Sequence, residues 1–155
     1  MLREKLRTRL KESMLAKDEI SVATVRLILA SLKDRDIAAR SKGNADGISD
    51  DEILSMMQSM IKQRRESAAL YDRAGRDELA AREMAEITVI ESFMPRQMSE
   101  AETAEAIQAT LKELDAASLK DMGRVMARMR ELYAGQMDFA QASTLVKDKL
   151  MDGQG

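Results

Sequence analysis

The sequence contains no cysteine and no histidine. Without thiolate and imidazole side chains it lacks the ligands of zinc fingers, the nucleophile pairs of cysteine and serine–histidine enzymes, and histidine proton shuttles. The absence of cysteine also excludes disulfides, which favours a reducing cytoplasm over secretion. Most common enzyme chemistries are therefore excluded, and we expect a cytoplasmic protein with no bound cofactor and no metal.

Aromatic residues are scarce at 3%, and proline occurs once, whereas 34% of the 155 residues are charged. The remainder is rich in Ala, Leu, Met, Glu, Lys and Arg, which lose little on entering a helix. The most apolar stretch, from Val22 to Leu32, is interrupted by Arg26 and is shorter than the roughly 20 apolar residues that cross a bilayer. The composition predicts an all-α protein without a membrane span.

Start and stop signals predict four helices before the only proline, Pro95, at about 2–17, 21–40, 50–74 and 77–94. Ser21 is the expected N-cap of the second helix, and two glycines with Asn44 and Asp46 in residues 41–47 predict an exposed loop after it. Ser49 and Glu52 form a predicted capping box for the third, and Gly75 is its expected stop. Pro95 ends the fourth helix because it forbids the next helical hydrogen bond.

After Pro95 the pattern changes to three short helices, introduced by Ser99 with Glu102, by Ser118 and by Asp138. Their expected buried faces are Ala104, Ile107, Leu111 and Leu114, then Leu119, Met122, Met126 and Met129, then Phe139, Ala142, Val146 and Leu150. The sequence thus predicts an N-terminal helical domain of about four helices, residues 1–95, followed by a small three-helix tail domain, residues 96–151.

The first helix carries five basic residues against one acid among its first eleven positions. An amphipathic targeting segment has this character, but so has a core helix with a basic outer face. Leu2, Leu6, Leu10 and Met14 continue one apolar stripe into the folded body, which favours the core helix.

A cluster of methionines and a cluster of carboxylates could each be a binding site or an ordinary structural feature. Met56, Met57 and Met60 resemble a pliable groove for a partner helix, yet at helical spacing core filling is favoured. The carboxylates of Glu83, Glu86 and Glu91 share a helix, but no histidine accompanies them as in di-iron sites, so we favour a solvated acidic face.

Basic residues at helical spacing are the main candidates for a binding surface. The first group is Lys62, Arg64, Arg65, Arg73 and Arg76, and the second is Lys120, Arg124 and Arg128. Cations three and four residues apart share one helix surface and can bind phosphates. Interleaved acids such as Glu66 and Asp72 favour an ordinary solvated helix for the first group, whereas the second has only Asp121 close by.

Four segments, in this order and spacing, carry a family resemblance. They are Ile61–Ser67 (IKQRRES), Tyr71–Ala80 (YDRAGRDELA), Glu91–Ser99 (ESFMPRQMS) and Ser118–Met126 (SLKDMGRVM). Together they resemble a stand-alone protein of the GatB/YqeY family over essentially the whole chain. One departure lies at residues 134–139 (AGQMDF), where such proteins often have a Gly-Arg-Ala-Asp-Gly-like turn, so a tRNA contact by that turn is not carried over.

The resemblance implies a helical domain and a three-helix tail similar to the C-terminal part of the amidotransferase B subunit, which helps to hold tRNA during amidation. In that enzyme the kinase and transamidation chemistry lies in a separate domain and glutamine hydrolysis in another subunit. A label of carbon–nitrogen ligase with glutamine as amide donor is therefore inherited by similarity. We expect no catalytic residue and no catalysis by this chain alone.

Three hypotheses follow. The leading one is a tRNA-associated binding module whose basic groups contact backbone phosphates in a salt-dependent way. The alternative is a protein-interaction adaptor that docks on an amidotransferase or an aminoacyl-tRNA synthetase and binds no nucleic acid. The third is an accessory that raises the activity of a separate amidotransferase.

Overall fold

The structure, a computed structural model, describes residues 1–152 and is all-α, as the composition predicted. The helices are α1 (Leu2–Leu15), α2 (Glu19–Ser41), α3 (Asp50–Arg73), α4 (Asp77–Glu91), α5 (Glu100–Glu113), α6 (Met122–Tyr133) and α7 (Phe139–Asp152), with a 3₁₀ turn at Leu119–Asp121. Contacts divide the chain into a first unit, Met1–Met94, and a second unit that begins at Pro95. Across residues 1–152, no helix is long and apolar enough to span a membrane.

The first unit is built from two helical hairpins. α3 packs along α4, α1 packs on α2, and α2 also contacts α4. Three-residue connections join the helices of each pair, which makes them antiparallel neighbours. Their shared core contains Leu2, Leu6, Val25, Ile28, Leu32, Ile48, Ile53, Met56, Met57, Met60, Ile61, Ile87, Ile90 and Phe93. The first helix is therefore a core helix, as its leucines predicted, but Met14, the last residue of the predicted stripe, is exposed near the end of the helix.

The three clustered methionines of α3 lie inside this core. Met56 and Met57 are almost completely buried and Met60 is 8% exposed. The prediction of core filling is confirmed. A partner-binding groove made of these side chains is excluded because they are not accessible.

α2 starts two residues earlier than predicted. Its N-cap is Asp18, whose carboxylate accepts from the Ser21 amide at 3.2 Å and from the Ser21 hydroxyl at 2.7 Å. The side-chain bond and then the backbone bond from Ser21 lower the pKa of Asp18. The prediction of Ser21 as N-cap was wrong because a carboxylate three residues upstream satisfies the amides of the first turn.

The other boundaries of the first unit largely agree with prediction. Ser49 caps α3 by accepting from the Glu52 amide at 3.2 Å. The Glu52 carboxylate accepts from the Ser49 hydroxyl instead of the Ser49 amide. The predicted capping box is therefore formed only on the side of the Ser49 hydroxyl. Gly75 has φ +73° just after α3 and acts as the stop, as expected.

In the second unit, α6 packs on α7 and α5 contacts both. The predicted capping box of Ser99 and Glu102 is present at the start of α5. The core contains Ala106, Ile107, Val125, Met126, Met129, Met137, Ala142, Val146 and Leu150. Ala104 and Leu119 are exposed and were wrongly predicted to be core residues.

The buried face of α5 includes threonines in place of Ala104. Thr103 and Thr110 are buried with Ile107. The Thr110 hydroxyl donates to the Ala106 carbonyl at 2.8 Å, so a polar side chain enters the core without an unpaired donor. An Ala-rich helix has a weak apolar stripe, which is why its spacing did not reveal the true face.

A buried polar network ties the connection before α3 to the first two helices. Arg3 donates to the Asp36 carboxylate at 2.6 Å and to the Ile48 carbonyl at 2.9 Å, and the same carboxylate accepts from the Ile48 amide at 2.9 Å. Burial, the largest influence, raises the pKa of Asp36, but the hydrogen bonds from Ile48 and Arg3 and the charges of Arg3 and Arg40 together outweigh it, and the pKa lies below its ordinary value. Gly47, with φ +82°, passes so close that a Cβ there would collide with this carboxylate.

Candidate nucleic-acid interface

Three of the predicted cations lie on one outward face of α3. At about 100° per residue, Lys62, Arg65 and Arg73 fall within roughly a quarter turn of the helix, away from the buried Ile53 and Met57. All three are exposed, and none has an ion-pair partner within residues 1–152. With a rise of about 1.5 Å per residue they extend over roughly 16 Å. We call these three residues the α3 cationic face.

This face also includes acidic residues. Glu66 and Asp72 are exposed beside the cations and, in the described part of the chain, form no ion pair. Arg73 donates to the Ala69 carbonyl at 3.4 Å, which holds its side chain along the helix. The surplus of positive charge is small, so this face does not produce a strong long-range field.

Arg64 directly precedes Arg65 in the sequence, but its side chain lies on the side of α3 opposite the α3 cationic face. It lies about 200° around the helix from Lys62. Its side chain is mostly buried, with 13% of its surface exposed. Its Nε donates to the Glu86 carboxylate at 2.9 Å, and its Nη1 donates to the Met60 carbonyl at 3.2 Å. Arg82 lies 3.5 Å from the other oxygen of Glu86. The structure therefore places Arg64 in the α3–α4 packing and outside the α3 cationic face.

The same geometry corrects the acidic-face prediction. Glu86 has 12% of its side chain exposed and is clamped between Arg64 and Arg82, so it is a packing residue rather than a solvated one. Glu83 is half-buried and Glu91 is exposed. Within the described residues no group of carboxylates is arranged to hold a metal ion.

Arg76 lies beyond the end of α3. Its Nε donates to the Glu78 carboxylate at 3.4 Å, and more than half of its side chain is exposed. The chain reverses direction at Gly75, immediately before it. Arg76 is therefore an exposed, partly compensated cation at the start of α4.

The second basic group is mostly paired. Arg124 donates to Asp121 at 3.0 Å, and Arg128 lies 2.9 Å from Glu113 and 3.1 Å from Glu131. Lys120, in the 3₁₀ turn, is exposed and has no ion-pair partner in the part of the chain described. The group therefore offers one uncompensated cation and two compensated ones.

Two side chains of this region, Asp121 and Arg128, have pKa values shifted toward their charged forms. The pKa of Asp121 is lowered by hydrogen bonds from the amides of Ala117 and Ser118 and further by Arg124. The pKa of Arg128 is raised by its hydrogen bonds to Glu113 and Glu131. A phosphate that approaches Arg124 or Arg128 must compete with these carboxylates, which lie at the surface where ion pairs are weak.

Comparison with known proteins agrees with the motifs. Residues 3–150 match the family model described as Yqey-like protein. The chain is similar to "Altered inheritance of mitochondria protein 41, mitochondrial" of Saccharomyces cerevisiae, with 30% identity over 135 residues, 87% of this chain and 69% of the relative. The protein of the same name from Eremothecium gossypii is 36% identical over 89 residues, 57% of this chain and 46% of the relative. These names specify no reaction and no ligand. Because the family model covers nearly the whole sequence, the chain belongs to the Yqey-like protein family.

Proposed function

We propose that this protein is a tRNA-associated binding module and that the α3 cationic face is its main contact with RNA. The observation that carries the proposal is the presence of three exposed cations, without carboxylate partners among residues 1–152, on one side of one helix. Lysine and arginine side chains in this state bind backbone phosphates and release the counterions condensed there. The resemblance of the tail to the tRNA-holding part of the amidotransferase B subunit supports the same ligand.

The geometry ranks the candidate contacts. Lys120, in the second unit, is a separate exposed cation without an ion pair among residues 1–152. Arg76, Arg124 and Arg128 can bind phosphate only by giving up ion pairs that they already form at the surface, where such pairs are weak. Arg64 contributes through the packing of α3 on α4 and is not proposed as a phosphate contact.

Binding of the purified protein to total tRNA across a salt series tests the proposal. Three phosphate contacts predict that the logarithm of the affinity falls with the logarithm of salt with a slope of about −2 to −3. Absence of binding at low salt would reject the module and leave the protein-interaction adaptor as the function.

We propose further that the chain supplies binding rather than chemistry to amide transfer. The label of glutamine-dependent carbon–nitrogen ligase then belongs to a separate catalytic subunit, with an amidotransferase or an aminoacyl-tRNA synthetase as the protein partner. Adding the chain to such an amidotransferase should raise the rate at low tRNA concentration. An unchanged rate over a range of tRNA concentrations would contradict this accessory role.

A cytoplasmic location is likewise a proposal for this chain. It rests on a cysteine-free composition, while the yeast relatives carry a mitochondrial designation in their names. Fractionation of cells that produce the tagged protein tests it. Recovery of the protein with a membrane or an organelle would contradict it.

A further inference from the structure

The outward face of α2 carries a row of side chains with the spacing of a coiled-coil seam. The row, which we call the α2 seam, consists of Ile20, Ala23, Leu27, Ala30, Asp34 and Ile37, with alternating steps of three and four residues. Its large members, Ile20, Leu27 and Ile37, are 38%, 47% and 50% exposed. Single exposed apolar residues are ordinary, but three in one heptad register, with two alanines between them, form an apolar row that is broken only at Asp34.

The core does not account for this stripe. α2 buries a different set of residues, including Val25, Ile28 and Leu32, on its inner side. A helix that packs on one side only normally presents polar residues on the other. The α2 seam is therefore a second apolar face of the same helix, in addition to the one that forms the core.

A row of cations follows one edge of the α2 seam. Arg26, Lys33 and Arg40 recur every seven residues, and all three are exposed. None of them has a carboxylate at ion-pair distance within residues 1–152, and Arg40 donates to the Ala45 carbonyl at 3.3 Å. Glu19, at the first turn of α2, is the one acid at the corresponding position of this edge. Ser31 and Ala38, on the opposite edge, are neutral.

We propose that the α2 seam docks an amphipathic α-helix of another protein that carries acidic residues along the edge facing Arg26, Lys33 and Arg40. The apolar row supplies the buried contact, and the exposed cations, of which Arg40 also acts on Asp36, select the charge of the partner. Asp34 interrupts the apolar row and favours a polar residue opposite it, which helps to set the register of the natural partner helix.

Charge argues against a second copy of this chain as the occupant. In an antiparallel pair, equivalent edges of the two helices face each other, so the cationic edge of one copy would face that of the other. In a parallel pair, Asp34 would face its own copy across the seam. Both arrangements bring like charges together, whereas an acidic partner helix avoids this cost.

The probe is a synthetic helical peptide of about three heptads with leucine at its seam positions and glutamate along both edges. The matched control has the same seam with lysine along both edges. Fluorescence anisotropy titrations should show that the glutamate peptide binds the full chain at least about tenfold more tightly at low salt. The ratio should shrink as salt screens the edge charges.

Variants locate the contact. Leu27→Gln should abolish binding, whereas Leu70→Gln, which changes a leucine 60% exposed on α3, should leave it unchanged. The triple Arg26, Lys33 and Arg40 change to glutamine should remove the preference for the glutamate peptide. Asp34→Leu should strengthen binding of the leucine-seam peptides, a gain that no loss of folding produces. Circular dichroism confirms the fold of each variant.

Two results would overturn the proposal. One is equal affinity for the glutamate and lysine peptides, or binding that Leu27→Gln leaves intact. The other is self-association of the wild-type chain in sedimentation experiments that Leu27→Gln dissolves, because the occupant would then be a second copy. Neither result depends on binding of tRNA by the α3 cationic face.

Discussion

Gly47 combines two demands that only glycine meets. Its φ of +82° lies in the left-handed region, and its α-carbon passes against the Asp36 carboxylate that Arg3 and Ile48 also contact. Gly43, in the same connection, has φ +95° but no atom within 4 Å of the position of a Cβ. The two residues therefore separate the cost of backbone conformation from the cost of steric overlap.

Gly47→Ala should lower the free energy of unfolding of the first unit by about 3 kcal/mol or more, because a strained φ and a displaced buried network add together. Gly43→Ala should cost only about 1 kcal/mol, the penalty of the left-handed conformation alone. Urea denaturation followed by circular dichroism measures both. Equal losses of unfolding free energy in the two variants would show that the close contact between Gly47 and the Asp36 carboxylate does not matter for stability.

Asp36 predicts a dependence of stability on pH. The pKa of Asp36 is lower in the folded chain than its ordinary value of 3.8. The ionised carboxylate therefore stabilises the folded state above about pH 4, and this stabilisation is lost as the pH falls through the lower pKa of the folded chain. At pH 7, Asp36→Asn should cost about 1–3 kcal/mol. The difference in free energy of unfolding between wild type and Asp36→Asn should become smaller as the pH falls from about 4 to about 2. A gap that stays constant over this range would contradict the assignment.

Local sequence predicted part of this region and missed the rest. Two glycines with Asn and Asp indicate an exposed turn, and the turn is present at this position. The bond from Arg3 to Asp36 joins residues 33 positions apart, and no periodicity within either helix points to it. The N-cap of α2 was missed for a simpler reason, since Asp18 and Ser21 both have suitable side chains and only the backbone decides between them.

At the scale of elements, helix phase separates the packing residues of α3 from its exposed cations. The α3 cationic face points to solvent, and Arg64 points to Glu86 of α4. The sequence grouped Lys62, Arg64 and Arg65 because they are neighbours in the chain. Once the buried face of α3 is identified from Ile53 and Met57, the phase assigns Arg64 to the packing side, so this distinction was available from the sequence.

Arg64→Met should destabilise the first unit by about 2 kcal/mol, because it leaves the half-buried Glu86 with only Arg82 as a partner. Lys62→Met should change stability by less than about 0.5 kcal/mol. Under conditions in which both variants are folded, Lys62→Met should weaken tRNA binding and Arg64→Met should not. If Arg64→Met weakened tRNA binding and Lys62→Met did not, the phosphate contact would lie on the Arg64 side of α3 and the proposed face would be incorrect.

The capping box of α5 gives a further prediction. Ser99→Ala removes the acceptor of the Glu102 amide and should cost the second unit about 1 kcal/mol. Ser99→Asp keeps an acceptor and should retain most of the stability. Thermal unfolding of the three proteins measures the difference, and loss of stability in both variants would indicate that the side chain acts in some other way.

At the scale of the whole molecule, each unit has its own apolar core. We therefore propose that residues 1–95 and 96–151 are domains that fold independently, as the position of Pro95 predicted. Each fragment, produced alone, should be helical and unfold cooperatively. A fragment that is unfolded in isolation would mean that the units depend on each other for stability.

The most direct measurement for the central claim compares tRNA affinity between two triple variants with the same change in charge. Replacing Lys62, Arg65 and Arg73 with glutamine removes the α3 cationic face, and replacing Lys5, Arg7 and Lys11 removes three exposed cations of α1. The first triple should lower affinity by about tenfold or more and flatten the salt dependence, and the second should change both only slightly. Equal losses in the two variants would show that binding follows net charge, and the α3 cationic face would then not be the RNA interface.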